Sequence, residues 1–101
     1  MSTIAISARI RLHADSWDAY LAAAAEIVPI TRREKGCVHY AFATDLLQPH
    51  VIWISEEWAS EADLTAHLSS AHISDFLAKT GEMQLLEVDI KKYVVSEVGT
   101  L

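Results

Sequence analysis

A chain of 101 residues with 51% hydrophobic content makes a single domain, residues 1–101, with a modest core. Its net charge of −6, and the lack of any basic cluster larger than Thr31–Lys35 (TRREK), exclude a nucleic-acid or anionic-membrane surface. One cysteine, Cys37, permits no intrachain disulfide and no cysteine-based metal set, which fits a reducing cytoplasm. The longest apolar run, AYLAAAAEIVPI, is broken by Glu26 and Pro29 and is too short to span a bilayer. No basic segment followed by an apolar one opens the chain, so no signal peptide is expected. The apolar share is high for this size, which predicts burial against a partner, in the simplest case a symmetric homodimer.

The first ten-residue run, TIAISARIRL, alternates, with Ile4, Ile6, Ala8, Ile10 and Leu12 on one side, and predicts a strand. HADS is a turn with Asp15 or Ser16 able to cap a helix. From Trp17 the apolar residues fall at Tyr20, Leu21, Ala24, Ile27 and Val28, which is helical spacing. Pro29 should kink or loosen that helix near its end, and Gly36 should stop it. CVHYAFAT alternates again, with Val38, Tyr40 and Phe42 set against Cys37, His39, Ala41 and Ala43. VIWISEEW is a third strand, with Ile52, Ile54, Glu56 and Trp58 on one face, and the two strands should form an antiparallel hairpin. Ser60 with Asp63 three residues on resembles a capping box and starts a helix. AHISDFLAKTG makes a further short helix, and LLEVDIKKYVVSEV the last strand. The order β-α-β-β-α-β predicts an α+β, ferredoxin-like fold with a four-stranded antiparallel sheet and helices on one face. The open face, carrying Val51, Trp53, Tyr93 and Val95, is expected to be too apolar to stay bare.

The candidate site residues lie around the second helix. His67 has Leu64 and Ala71 near it on the helix and can look toward the sheet. Its imidazole is suited to accept a proton near neutral pH, and its plain reading is a helix-surface or capping residue. Trp58 is either a core anchor or a wall stacking on a flat ligand. Glu56 stands between apolar neighbours, so it should pair with a cation such as Arg9 or Arg33, or else be raised in pKa by desolvation. His72 follows His67 by five residues across a helix break, without the further ligands at metal-site spacing, so no metal is expected. Cys37 has no cationic neighbour in sequence to activate it. No glycine-rich phosphate loop occurs, so a nucleotide or flavin held by such a turn is unsupported.

These segments resemble the antibiotic biosynthesis monooxygenase family, and within it the bacterial quinol monooxygenases. The pattern is carried by Glu34, Gly36, Cys37 and Tyr40, then by Glu56, Trp58, Ser60, Leu64, His67, Ser70 and His72. The resemblance runs along nearly the whole chain. It implies a dimeric α+β barrel in which each subunit oxidises a small phenolic or quinol substrate with O2, without flavin, metal or haem. It would make His67 the catalytic acceptor, Trp58 and Phe76 the walls, and Tyr40 and His72 polar contacts, with Glu56 beside them. Haem-degrading relatives of the same superfold are recognised by an Asn, a Trp and a haem-ligating His. The corresponding places here hold Ser7 or Ala8, His67 and Leu77, a departure that counts against haem degradation. A non-catalytic dimer that binds an aromatic metabolite, and an isomerase or lactonase-like enzyme of the same barrel, are the alternatives.

Overall fold

The computed structural model describes residues 2–101. The alternation in the first run becomes β1 (Thr3–Leu12), in which Ile4, Ile6, Ala8, Ile10 and Leu12 are all buried. A single 3-10 turn (Ala14–Ser16) follows, opened by the His13 imidazole, whose Nδ1 accepts from the Asp15 N–H at 3.0 Å. The chain then enters α1 (Trp17–Arg32), which lays Tyr20, Ala23, Ala24, Ile27 and Thr31 against the sheet. Small residues at positions 23 and 24 let the helix axis approach closely. The helix continues three residues past Pro29. So near the C-terminus the ring removes one backbone donor without ending the helix, its fixed φ being helical already.

The hairpin is β2 (Cys37–Thr44) and β3 (Val51–Trp58), and β4 (Leu85–Val95) closes the sheet in the order β2-β3-β1-β4, every neighbour antiparallel. Between the strands of the hairpin, Asp45 Oδ1 accepts from the N–H groups of Leu47 and Gln48, an Asx-type turn that sets the loop. Tyr40 pairs with Glu56 and Phe42 with Ile54, so these four side chains share the helix-covered face. The expected grouping of Val38 with Tyr40 and Phe42 does not hold. The register shifts between Cys37 and His39, leaving Val38 59% exposed while Cys37 packs on the core. A bulge adds one residue to the strand, so the period-two alternation skips a step there.

The second helical region is two helices, α2 (Glu61–Leu68) and α3 (Ala71–Thr80). Ser60 caps the first as expected: its Oγ accepts from the Asp63 N–H at 3.2 Å and donates to Asp63 Oδ2 at 2.9 Å. Ser70 makes the break between them. Its Oγ donates to the His67 carbonyl at 2.6 Å and accepts from the Ile73 N–H, so it finishes α2 and starts α3.

The two faces of the sheet differ from expectation. Across the open face Glu87 accepts from both Arg9 and Arg11 at 2.7 Å, and Val51 is buried. That face is mixed and ionic, with Trp53 and Tyr93 half-covered. The bare apolar stripe lies instead on the helix side of β4. Val88, Ile90 and Val94 pair with buried Ile10, Ala8 and Ile4, yet are exposed because the helices stop short of this strand. Among the described residues no helix is long and apolar enough to cross a membrane.

One turn holds α1, β2 and α2 together. Gly36 takes φ +80°, and a Cβ placed on it would come within 2.1 Å of Asp63 Oδ2 and 2.6 Å of Asp63 Cβ. Only glycine offers both the left-handed backbone and the missing side chain. Gly36→Ala is therefore expected to cost about 2–4 kcal/mol in urea unfolding, against about 1 kcal/mol for Ser60→Ala. Equal midpoints for the two variants would rule out this close approach.

Candidate functional site

Between the sheet and the α2–α3 pair lies a cavity of about 350 Å³. Its wall is largely aliphatic and aromatic, and its polar atoms come from few residues: Tyr20, Tyr40, Glu56, His67, Thr80 and Lys92. Exposed Leu68, Leu77, Val88 and Ile90 also line it, so the mouth opens between the helices and β4. A few convergent polar groups in an apolar cavity of this size suit a small, mostly apolar ligand.

His67 sits in the last turn of α2 and is 1% exposed. Its ring lies against the Trp58 indole, with centroids 4.7 Å apart at 31°, and takes the edge of Tyr40 at 5.5 Å. Its Nδ1 is 2.5 Å from Glu34 Oε2, and His72 Nε2 reaches the same oxygen at 2.8 Å. A carboxylate oxygen only accepts, so each of these ring nitrogens donates an N–H to it. The Ser70 hydroxyl, committed as donor to a carbonyl, offers His72 Nε2 a second acceptor at 3.3 Å. For neutral His67 this assignment places the hydrogen on Nδ1 and leaves Nε2 a bare acceptor. Nε2 has no protein partner among the described residues, and His67 lines the cavity. The result is a proton acceptor oriented by a carboxylate behind it.

Glu34 lies in the turn between α1 and Gly36. It carries the candidate motif but has no apolar period or spacing to link it to α2. Its role was not legible along the chain; the turn through Gly36, which packs on Asp63, delivers it beneath α2 and α3.

The structure sorts the expected site residues into two groups. Tyr40, Glu56, His67 and Phe76 line the cavity. Trp58 and His72 do not. Trp58 is 0% exposed and stands behind His67 and Tyr40, so it positions the imidazole and does not form a wall. His72 faces Glu34 and lines a separate small cleft between α1 and α3.

Glu56 does not pair with Arg9 or Arg33. Arg9 lies on the opposite sheet face and donates to Glu87 and Gln48. Glu56 Oε1 instead accepts from Trp58 Nε1 at 2.9 Å. Burial pushes its carboxyl above the usual range, opposed in smaller measure by the indole bond and by His67. Burial also raises the phenols, Tyr20 to about 12 and Tyr40 further, so both are neutral at pH 7. The Cys37 thiol is raised by burial and then by Glu34 and Glu56, which keeps it protonated and unreactive.

Comparison with known proteins bears on this geometry. Residues 3–79 match the family model described as antibiotic biosynthesis monooxygenase. YcnE of Bacillus subtilis, whose name proposes a monooxygenase, is 26% identical over 94 residues, covering 93% of this chain and 99% of that protein. An uncharacterised protein of Synechocystis is 24% identical over 98 residues, covering 97% of this chain and 67% of its own length. Among solved structures, Rv0793 from Mycobacterium tuberculosis superposes with a TM-score of 0.89 at 23% identity, covering 98% of this chain and 100% of that one. A conserved protein from Methanosarcina mazei gives 0.87 at 23% identity, covering 95% of each chain. At these identities the solved structures establish the fold.

The displaced Glu56 titration has a measurable consequence. With its folded pKa above the ordinary 4.5, the folded chain keeps this proton to higher pH than the unfolded chain does. Below 4.5 both states are protonated and burial carries no ionisation penalty. As pH rises through the folded value the penalty develops in full. Glu56→Gln retains an oxygen for the Trp58 N–H and removes the charge. It is expected to raise the urea midpoint at about pH 7.5 and to lose that gain by about pH 4. A gain that is the same at both pH values would sink the assignment.

Proposed function

The chain belongs to the antibiotic biosynthesis monooxygenase family, and on that premise we propose that it oxidises a phenolic or quinol aromatic substrate with O2, the substrate itself supplying the electrons. The observation that carries the reading is that His67 lines an apolar cavity while its Nδ1 is bonded to the Glu34 carboxylate, which leaves Nε2 as the ring nitrogen free to accept. In this proposal His67 draws the proton from the substrate hydroxyl. The electron-rich anion passes one electron to O2, and the radical and superoxide recombine within the apolar cavity to form a C–O bond. Loss of water then leaves a quinone carrying one oxygen atom from O2, the other atom departing in the water. The electrons balance without an external reductant. Neutral Tyr20 and Tyr40 serve as hydrogen-bond donors to substrate oxygens, and Phe76 as an aromatic wall. Trp58 and Glu34 act through His67 as positioning residues.

A second copy of the chain completes the arrangement in this reading. The stripe of Val88, Ile90 and Val94 on β4 is an apolar surface left uncovered, and Val88 and Ile90 border the cavity mouth. A homodimer there would exclude water from the substrate. The single cysteine supports a reducing cytoplasm as the setting in this reading.

Oxygen uptake with menadiol and related hydroquinones is the direct test. Wild type should exceed autoxidation, and His67→Ala should lower the enzymatic rate by ~10²–10⁴-fold. Glu34→Gln should lower it by a smaller factor, about 10–100. No uptake above autoxidation for any such substrate ends the oxygenase reading, and turnover under anaerobic conditions would transfer it to isomerase chemistry. Sedimentation equilibrium should show a dimer that Ile90→Lys shifts toward monomer; a monomeric wild type would remove the second copy.

A further inference from the structure

We propose that Glu34, His67 and His72 form a binding site for a divalent transition-metal ion of the Zn²⁺ class, and that the ion, once bound, silences His67. The three donor atoms, one carboxylate oxygen and two imidazole nitrogens, lie within 4.8 Å of one another. Along the chain the two histidines lack a third ligand at metal-site spacing; the fold supplies one from the turn after α1. Nitrogen and carboxylate donors in this number suit a tetrahedral ion with one position left for water. In such a site neighbouring donor atoms stand about 3.3 Å apart, from metal–ligand distances of about 2.0–2.1 Å. The nitrogens now stand 2.5 and 2.8 Å from Glu34 Oε2, so each must move from that oxygen by under about 1 Å, while the two nitrogens, within 4.8 Å of each other, settle to the same spacing. The Glu34 and His72 side chains keep 17% and 19% of their surface exposed, which gives an ion a route in from solvent. The set is anchored by Trp58 against His67 and by Ser70, which bonds both the His67 carbonyl and His72.

The consequence for His67 follows from the bookkeeping of one hydrogen. With Glu34 as partner, Nδ1 carries the hydrogen and Nε2 accepts. A metal ion on Nδ1 displaces that hydrogen, and a neutral imidazole then carries it on Nε2. Nε2 changes from acceptor to donor and no longer takes a proton from a substrate hydroxyl. Of its three ligands only His67 lines the cavity, so the ion acts on a cavity ligand through that ring. The binding claim stands on geometry alone; the silencing claim rests on the function proposed above.

Isothermal titration of the full chain with Zn²⁺, paired with Co²⁺ quenching of tryptophan emission, tests the site without turnover. One ion per chain is expected, with quenching because Trp58 stacks on a ligand. Glu34→Gln and His72→Gln, each checked for native circular dichroism, should each weaken binding by at least about 10–100-fold. Two variants on different elements keep the test informative if one fails to fold. Binding that persists in both variants would assign the ion to surface histidines such as His13 or His50 and overturn the site, as would no binding by wild type. In oxygen-uptake assays the ratio of rates with and without Zn²⁺ should fall for wild type and stay near one for His72→Gln. Specific Zn²⁺ binding in a chain with no oxygenase activity retains the site and rejects the proposed function. Full activity in the Zn²⁺-saturated chain rejects the silencing.

Discussion

Two imidazoles converge on one carboxylate oxygen, and the geometry of the candidate site depends on that contact. Glu34 draws α2 and α3 toward the turn after α1, through bonds from His67 and His72. Hydrogen bonds to a charged group are worth about 1.5–3 kcal/mol each, so the pair is a sizeable part of the stability expected for a 101-residue domain. It is also directional. A carboxylate that accepts from Nδ1 determines which nitrogen of a neutral His67 carries the hydrogen, as packing alone cannot.

Around this contact the aromatic side chains set distances and orientation. Trp58 fills the space behind His67 and donates to Glu56, so a single indole restrains the imidazole and a cavity carboxylate at once. Tyr40 reaches His67 and Trp58 from β2, in a register that depends on the bulge near Val38. Were Val38 kept in strict alternation from Cys37 with no bulge, Tyr40 would turn to the ionic face. The bulge and the Gly36 turn flank Cys37 on either side. Backbone irregularity is thus concentrated in the few residues that deliver Glu34 and Tyr40.

The cavity is electrostatically quiet apart from His67 and Glu56. Its phenols are neutral, and Lys92 is held by Glu61 at 2.7 Å. Such surroundings disfavour a bare charge on a ligand and favour proton movement to a placed base over a short path. They also explain why Glu56 titrates high: among the described residues its one donor is an indole N–H, with no cation bonded to it.

The sequence by itself determined the strands, the helices and their order, because period-two and period-3.6 burial and the caps at Ser60 and Ser70 are local properties. It also marked His67 and Glu56, polar residues visible among apolar neighbours along the chain, while Tyr40 and Phe76 were marked only by the family resemblance. Three matters were decided only by tertiary structure. Glu34 met His67 and His72 from more than thirty residues away, through a glycine turn whose reason is contact with Asp63. Trp58 and Glu56 were known to share a face, but that they bond each other, and that Arg9 does not reach Glu56, depended on which side of the sheet the helices cover. The exposed stripe on β4 followed from where those helices end, which no strand pattern encodes. Periodicity reports which face of an element is apolar; which partners that face meets is a property of the assembled chain.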